Sequence, residues 1–157
     1  MLQSIRNLFD FASSGLKVTQ ELGTLLRRRR GDARLLLEEV KANQDLCRMV
    51  IEEGTDPMRV IPELRTNQYD ALLGAGFDFD GLGPGRIRSF PDLERSDLAG
   101  LVGKTGGALI EDIYDKTKEL ERRYRLDRNN PRTDWRRRVI NLYKRIVLLV
   151  YHLRRAD

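Results

Sequence analysis

From residue 2 to residue 29, apolar side chains return at helical spacing. Leu2, Ile5, Leu8, Phe9, Ala12 and Leu16 form one stripe, which Leu22, Leu25 and Leu26 continue. The spacing predicts a helix weakened at Gly15 and Gly23, with a break near Ser13-Ser14-Gly15. Gly31 ends this segment, and Asp32 stands where an N-cap would open the next. Residues 33–53 predict a second helix. Leu36, Val40, Cys47, Val50 and Ile51 fall on one side, widened by Leu37 and Leu46, while Glu38, Glu39, Lys41, Arg48, Glu52 and Glu53 take the solvent side. Gly54 is a natural residue to follow its C-cap.

The middle of the chain is more broken. Asp56-Pro57 reads as N-cap and first position of a short helix that Pro62 stops or kinks. Thr66 is placed to cap another short helix through Tyr69, Leu72 and Leu73, ended by Gly74 or Gly76. Residues 74–91 are rich in Gly but carry Phe77, Phe79, Ile87 and Phe90, so they predict a structured loop that buries those side chains. A small hairpin around Gly81–Gly85 is the weaker alternative. Ser96 or Asp97 is expected to cap a short helix through Val102.

A long helix is predicted from Gly106-Gly107 to about Leu126, burying Leu109, Ile110, Ile113, Tyr114, Thr117, Leu120 and Tyr124. Asn129-Asn130-Pro131 is strong turn punctuation. The last helix covers residues 132–155, with Trp135, Val139, Leu142, Tyr143, Ile146, Leu149, Val150 and Leu153 on a broad apolar face. Its short connection to the preceding helix makes the two antiparallel neighbours. No convincing period-2 strand pair and no internal repeat occur. The expected fold is all-α, an up-and-down bundle of about four main helices with a Gly-rich irregular insertion at 74–91, in one domain spanning 1–157.

Composition narrows the setting. Cys47 is the only cysteine, which excludes an intramolecular disulfide and suits a reducing cytosol. Asp10, Lys17 and Glu21 interrupt any signal-peptide core, and no apolar run is long enough to span a membrane, so a cytoplasmic location is expected. The first helix has an apolar stripe, but its polar side is mixed in charge until Arg27, so membrane attachment is not expected.

Charge changes the picture most. The net charge is +1 over residues 1–60, −4 over 61–120 and +8 over 121–157. Arg27, Arg28, Arg29 and Arg30 form one basic run, and Arg136, Arg137, Arg138, Lys144, Arg145, Arg154 and Arg155 extend along the last helix. Arginine at a helix C-terminus complements the dipole, but four in succession exceed that need. The guanidinium fork suits bidentate phosphate or carboxylate pairing. These eleven residues are the candidate binding surface, with nucleic acid the first partner and an acidic protein the second. Arg137 and Arg138 are weaker members, because one must turn toward a neighbouring helix. A third possibility is a structural homo-oligomer, the acidic middle of one chain meeting the basic end of another.

Motifs of catalysis are incomplete. Gly103-Lys104-Thr105 matches the tail of a Walker loop, but Leu98 stands where its first Gly belongs and no strand precedes it; a phosphate on the following helix N-terminus is still possible. Asp78-Phe79-Asp80-Gly81 begins like a calcium loop, yet Pro84 and Arg86 fall at ligand positions. His152 is the only histidine, and with one cysteine a zinc site within one chain is not expected; nor is any cofactor. Cys47, on an apolar helix side, reads as an inert core thiol. Arg145 and His152 lie two helical turns apart, on roughly one side. The pair resembles the Arg-(x4–6)-His motif of HEPN ribonucleases, which are helical bundles. The resemblance covers two residues, and Ile146 follows the Arg where that family often has Asn. It implies a metal-independent ribonuclease with Arg145 and His152 as catalytic residues. The leading expectation remains a non-enzymatic binding or assembly protein.

Overall fold

Helix caps and glycines divide the chain much as the pattern predicts. The structure, a computed structural model, describes the backbone of residues 11–156 and the side chains of residues 17–155. Its helices are α1 (Phe11–Arg28), α2 (Gly31–Glu52), the short α3 (Pro57–Val60), α4 (Asn67–Gly74) and α5 (Pro91–Glu94), then α6 (Gly106–Asp127) and α7 (Trp135–Ala156). Short 3-10 turns at Ile61–Glu63, Phe79–Leu82 and Ala99–Leu101 fill the intervals. Among the described residues the one β feature is a bridge between Arg86 and Thr105, so the fold is all-α.

Several local expectations need correction. α1 runs through Ser13-Ser14-Gly15 without a break. A single Gly costs a helix about 1 kcal/mol, and docking of α1 on α2 and α7 outweighs that. Leu2, Ile5, Leu8 and Phe9 lie outside the described residues. Asp32 is not the N-cap of α2; Arg30 holds that position without a side-chain cap, and Asp32 sits in the first turn. Gly31 has φ +58, which lets the chain reverse there. Gly54, at φ +69, ends α2 as expected, with the Thr55 amide donating to the Met49 carbonyl at 3.0 Å. Asp56 does cap α3, accepting from the Met58 amide at 2.9 Å. The short helix expected after Ser96 or Asp97 is only a 3-10 turn at Ala99–Leu101 with Val102 as its C-cap, and the Ser96 hydroxyl accepts from the Leu98 amide at 3.1 Å just before it.

The largest local surprise is Glu39. It is buried rather than solvent-facing. Its carboxylate accepts from the amides of Gln68 at 2.8 Å and Tyr69 at 3.2 Å. Thr66 makes no side-chain cap of α4, so this distant carboxylate supplies it. Asn43 repeats the device one turn on, bonding both the carbonyl and the amide of Arg65. Two polar side chains of α2 thereby fix the path of the chain after α3.

Contacts along the helices set their directions. Thr19 meets Gln44, so α1 and α2 are antiparallel. Arg136 donates to the Ile51 carbonyl, so α7 starts where α2 ends. Arg145 meets Asp112, so α6 and α7 are antiparallel. The chain from α3 to α5 therefore returns to the end where α2 began before α6 sets out. That end, called the upper end here, gathers the α1–α2 turn, the Gly-rich insertion, the start of α6 and the end of α7. α7 is the central helix. Val139, Leu142, Tyr143, Ile146, Val147, Leu148, Leu149, Val150 and Leu153 are all buried, a broader set than one apolar face. Trp135, expected in the core, is only half-buried at its start.

The insertion is a structured loop and not a hairpin. Ile87 and Phe90 are buried and Phe77 and Phe79 half-buried. Asp78 caps the Phe79–Leu82 turn through the amides of Asp80 and Gly81. The Ile87 amide donates to the Lys104 carbonyl at 2.8 Å, and the Gly103 amide to the Ile87 carbonyl at 2.9 Å. Gly83 lies so close to α7 that a Cβ there would stand 2.6 Å from Leu153 Cδ2.

A candidate anion-binding end

The bridge between Arg86 and Thr105 holds the insertion in extended form over the end of α7. Extension alternates side chains, so Ile87 turns into the core while Arg86 and Arg88 stay exposed. They border a cavity of about 130 Å3 that Tyr151, His152 and Arg155 close from α7, with Pro84, Gly85 and Leu148 completing it. Three guanidinium groups and an imidazole line it, and no carboxylate does. Among the described residues, none of Arg86, Arg88 and Arg155 has an ion-pair partner. Arg86 Nη1 donates to the Gly103 carbonyl at 2.8 Å, and Arg155 Nη1 to the Tyr151 hydroxyl at 2.8 Å, with the guanidinium against that ring. His152 is buried, and its Nε2, 2.9 Å from the Gly83 carbonyl, must be the donor of that bond. The imidazole fastens the loop that forms the cavity wall.

The first basic run reaches the same end. Arg29 donates to the Leu82 carbonyl at 3.0 Å, tying the α1–α2 turn to the insertion. Arg27, Arg28 and Arg30 are exposed around it, and Arg30 Nη1 also holds the carbonyls of Arg27 and Arg29. Arg154 belongs to this end too, paired with Glu21 at 2.6 Å. Both runs close a helix whose C-terminal carbonyls they complement.

The rest of the candidate set is elsewhere. Arg136 and Arg137 are exposed at the lower end, about 27 Å from Arg155 at helical rise. Arg138 and Arg145 open onto a different cavity of about 210 Å3, shared with Asp97, Lys116, Glu119 and Asn141. Most charges there are matched, although Arg138 has no ion-pair partner among the described residues. Arg145 is buried and binds Asp112 at 2.6 Å, while Lys144 meets Asp97 at 3.6 Å. Arg145 and His152 therefore share neither a cavity nor a partner, and the side common to both on a helical wheel is divided by their different neighbours.

Other sequence candidates have structural occupations. Thr105 caps α6 through the Ala108 amide, and the Asp80 carboxylate accepts from the Gly107 amide at 2.9 Å. The protein's own anion thus holds the helix start at which a phosphate could otherwise rest. Asp78 and Asp80 are both engaged as caps, and the described residues hold no group of three or more metal-ligating side chains. Cys47 is fully enclosed, and burial pushes its thiol up to about 12. Burial also raises the Tyr114 hydroxyl, with the neighbouring Glu39 charge adding to it.

A third, open cleft of about 400 Å3 runs between α4, the insertion and α6. Tyr69, Leu73, Phe77 and Phe79 give it an apolar lining, and Asp78, Asp80 and Glu111 an acidic one. No described helix is long and apolar enough to cross a membrane.

Arg86 and Arg88 escaped the sequence reading because they sit in the acidic third of the chain, outside any arginine run. The signal present was Arg86-Ile87-Arg88 itself, one apolar residue between two basic ones in an extended stretch. The chain matches no family model, and no curated protein or solved structure is significantly similar to it.

Proposed function

We propose that this is a non-enzymatic binding protein whose arginine-rich upper end holds an acidic partner, nucleic acid first. One observation carries the reading. Arg86 and Arg88 from the insertion and Arg155 from the end of α7 surround a cavity without a carboxylate, and Arg29 ties the 27–30 turn to the same end through the Leu82 carbonyl. A surface of that kind attracts a polyanion and orients it through guanidinium–phosphate pairs. Phosphates along a strand match repeated arginines better than scattered carboxylates do, which ranks nucleic acid before an acidic protein. A cytoplasmic setting goes with this reading, where the lone buried Cys47 suits reducing conditions.

The test is a titration with single- and double-stranded RNA and DNA, and with an acidic protein, at two salt concentrations. Nucleic-acid affinity should fall steeply with salt, and Arg88→Glu with Arg155→Glu should weaken it at low salt. Tight binding of the acidic protein alone would move the partner to the second class. Absence of any binding would end the reading.

A second reading, self-association, rests on a different observation. The acid-lined apolar cleft suits a basic segment carrying an exposed apolar side chain. The lower end of α6 offers one, where Leu126 is 81% exposed beside Arg122 and Arg125. Light scattering across a concentration series decides it; a constant monomer mass would remove the reading.

A further inference from the structure

We infer that the Arg86–Arg88–Arg155 cavity receives a single phosphate monoester, carried at the end of a bound nucleic-acid strand; the strand-end source rests on the nucleic-acid reading above. The cavity has a floor. Leu148 and Ile87, both buried, close it from below, and the Gly83 carbonyl held by His152 fixes the loop that carries one wall. Its volume of about 130 Å3 has room for a phosphoryl group with some of its water. An internal phosphodiester would have to bring two flanking nucleosides to that floor, whereas a terminal phosphate enters alone.

Charge makes the same selection. A phosphate monoester carries about −1.5 to −2 at pH 7 and offers three acceptor oxygens. An internal diester carries one charge and two free oxygens. Three guanidinium groups without an ion-pair partner favour the more highly charged group. Arg86 and Arg155 each spend one N–H on Gly103 and Tyr151, which fixes their direction and leaves other donors of each fork free. Arg88, exposed at the rim, completes the set. The helix start nearby does not compete for the phosphate, because Asp80 already occupies the Gly107 amide.

The decisive experiment compares short single-stranded oligonucleotides of one sequence that bear a phosphate at the 5′ end, at the 3′ end, or at neither. Inorganic phosphate and a nucleoside monophosphate serve as free-ligand arms. Binding is read by fluorescence anisotropy for the parent, Arg88→Gln and Arg155→Gln, all at one salt concentration. One phosphorylated end should bind at least about tenfold tighter than the hydroxyl-ended strand, a difference of about 1.4 kcal/mol. Both variants should lose that preference and bind the phosphorylated and the hydroxyl-ended strands alike. Thermal melting of the variants, whose altered side chains are exposed, confirms that they fold. Equal affinity for all three strands overturns the inference and leaves the polyanion-binding reading standing. A preference that survives in both variants overturns it too, because the phosphate is then held elsewhere. Binding of free phosphate without any strand binding removes the strand-end source and the nucleic-acid reading together.

Discussion

Two cavities flank α7, and they hold the same kind of residue in opposite conditions. Midway along the helix, Arg145 is buried, meets Asp112 at 2.6 Å and opens onto a cavity that also holds Asp97, Lys116 and Glu119. At the upper end, Arg155 reaches a cavity lined by Arg86 and Arg88 with no carboxylate. The two arginines lie on one helix, yet one is paired inside the fold and the other has no ion-pair partner among the described residues. The +8 of residues 121–157 is therefore not a single surface. Part of it is neutralised against α6, part stands at the lower end, and only the last turn joins the cationic cavity. What matters for binding is the charge that folding leaves unmatched.

The comparison breaks most severely at Asp112. Asp112→Ala would strand a guanidinium whose side chain is only 11% exposed. Removing one partner of a fully buried pair costs about 3–5 kcal/mol; the partial exposure of Asp112 brings the expectation to roughly 2–4 kcal/mol. Arg155→Ala, by contrast, should stay within about 0.5 kcal/mol of the parent. Urea denaturation of both variants checks the pair of values. Equal losses would mean that the two arginines are not distinguished in the way their surroundings imply. Arg145→Met sharpens the point. It removes the charge while filling similar space, so it should recover much of the stability that Asp112→Ala loses.

A middle-sized effect is expected at Gly83, which joins the insertion to the upper cavity. Gly83→Ala would place a methyl group 2.6 Å from Leu153 Cδ2 and 3.4 Å from His152 Nε2. The buried Leu153 side chain, the loop or both must give way, at roughly 1–3 kcal/mol for overpacking. Where the loop retreats, Arg86 and Arg88 move away from Arg155, so oligonucleotide affinity should fall although no charge has changed. A variant that loses stability and keeps full affinity would detach the loop from the site.

The long helices were legible because each buries a stripe at helical spacing, and the residues expected inside α6 are inside, Tyr124 only partly. A cap made within a few residues, Asp56 on α3, was legible, and Thr105 on α6 is of the same local kind though it was not named as a cap. The remainder depended on partners distant in sequence. Glu39 reads as a solvent-side acid until α4 arrives 29 residues later and needs a cap. Arg145 reads as one more member of a basic run until Asp112 is set against it. The cationic cavity has the same character. Its Arg86 and Arg88 come from the acidic third of the chain, and the short antiparallel bridge that aims them was too small to register as a strand. Periodicity reports which way a residue faces on its own element, whereas matched and unmatched charge depends on what packs beside it.

The smallest effect separates the two ends of α7. Arg137 is exposed like Arg155, but it does not line the cationic cavity, and the loop beside it brings Asp127 and Asp134 together with Arg128 and Arg132. If binding depends on gathered rather than merely numerous arginines, Arg137→Glu and Arg88→Glu will differ despite an identical change in net charge. Removing one guanidinium–phosphate pair should flatten the slope of log K against log salt by about 1. Arg88→Glu should show that flattening, because its guanidinium borders the cavity. Arg137→Glu alters only the distant field, which screening over about 10 Å at 0.1 M salt largely removes across the length of the helix. It should lower affinity slightly at the lowest salt, leave the slope unchanged, and match the parent near physiological salt. The measurement is a salt series of oligonucleotide titrations for the parent and both variants. Equal flattening in the two variants would show that the polyanion lies along the whole helix, and the distinction between the cavity and the rest of the basic surface would have to be abandoned.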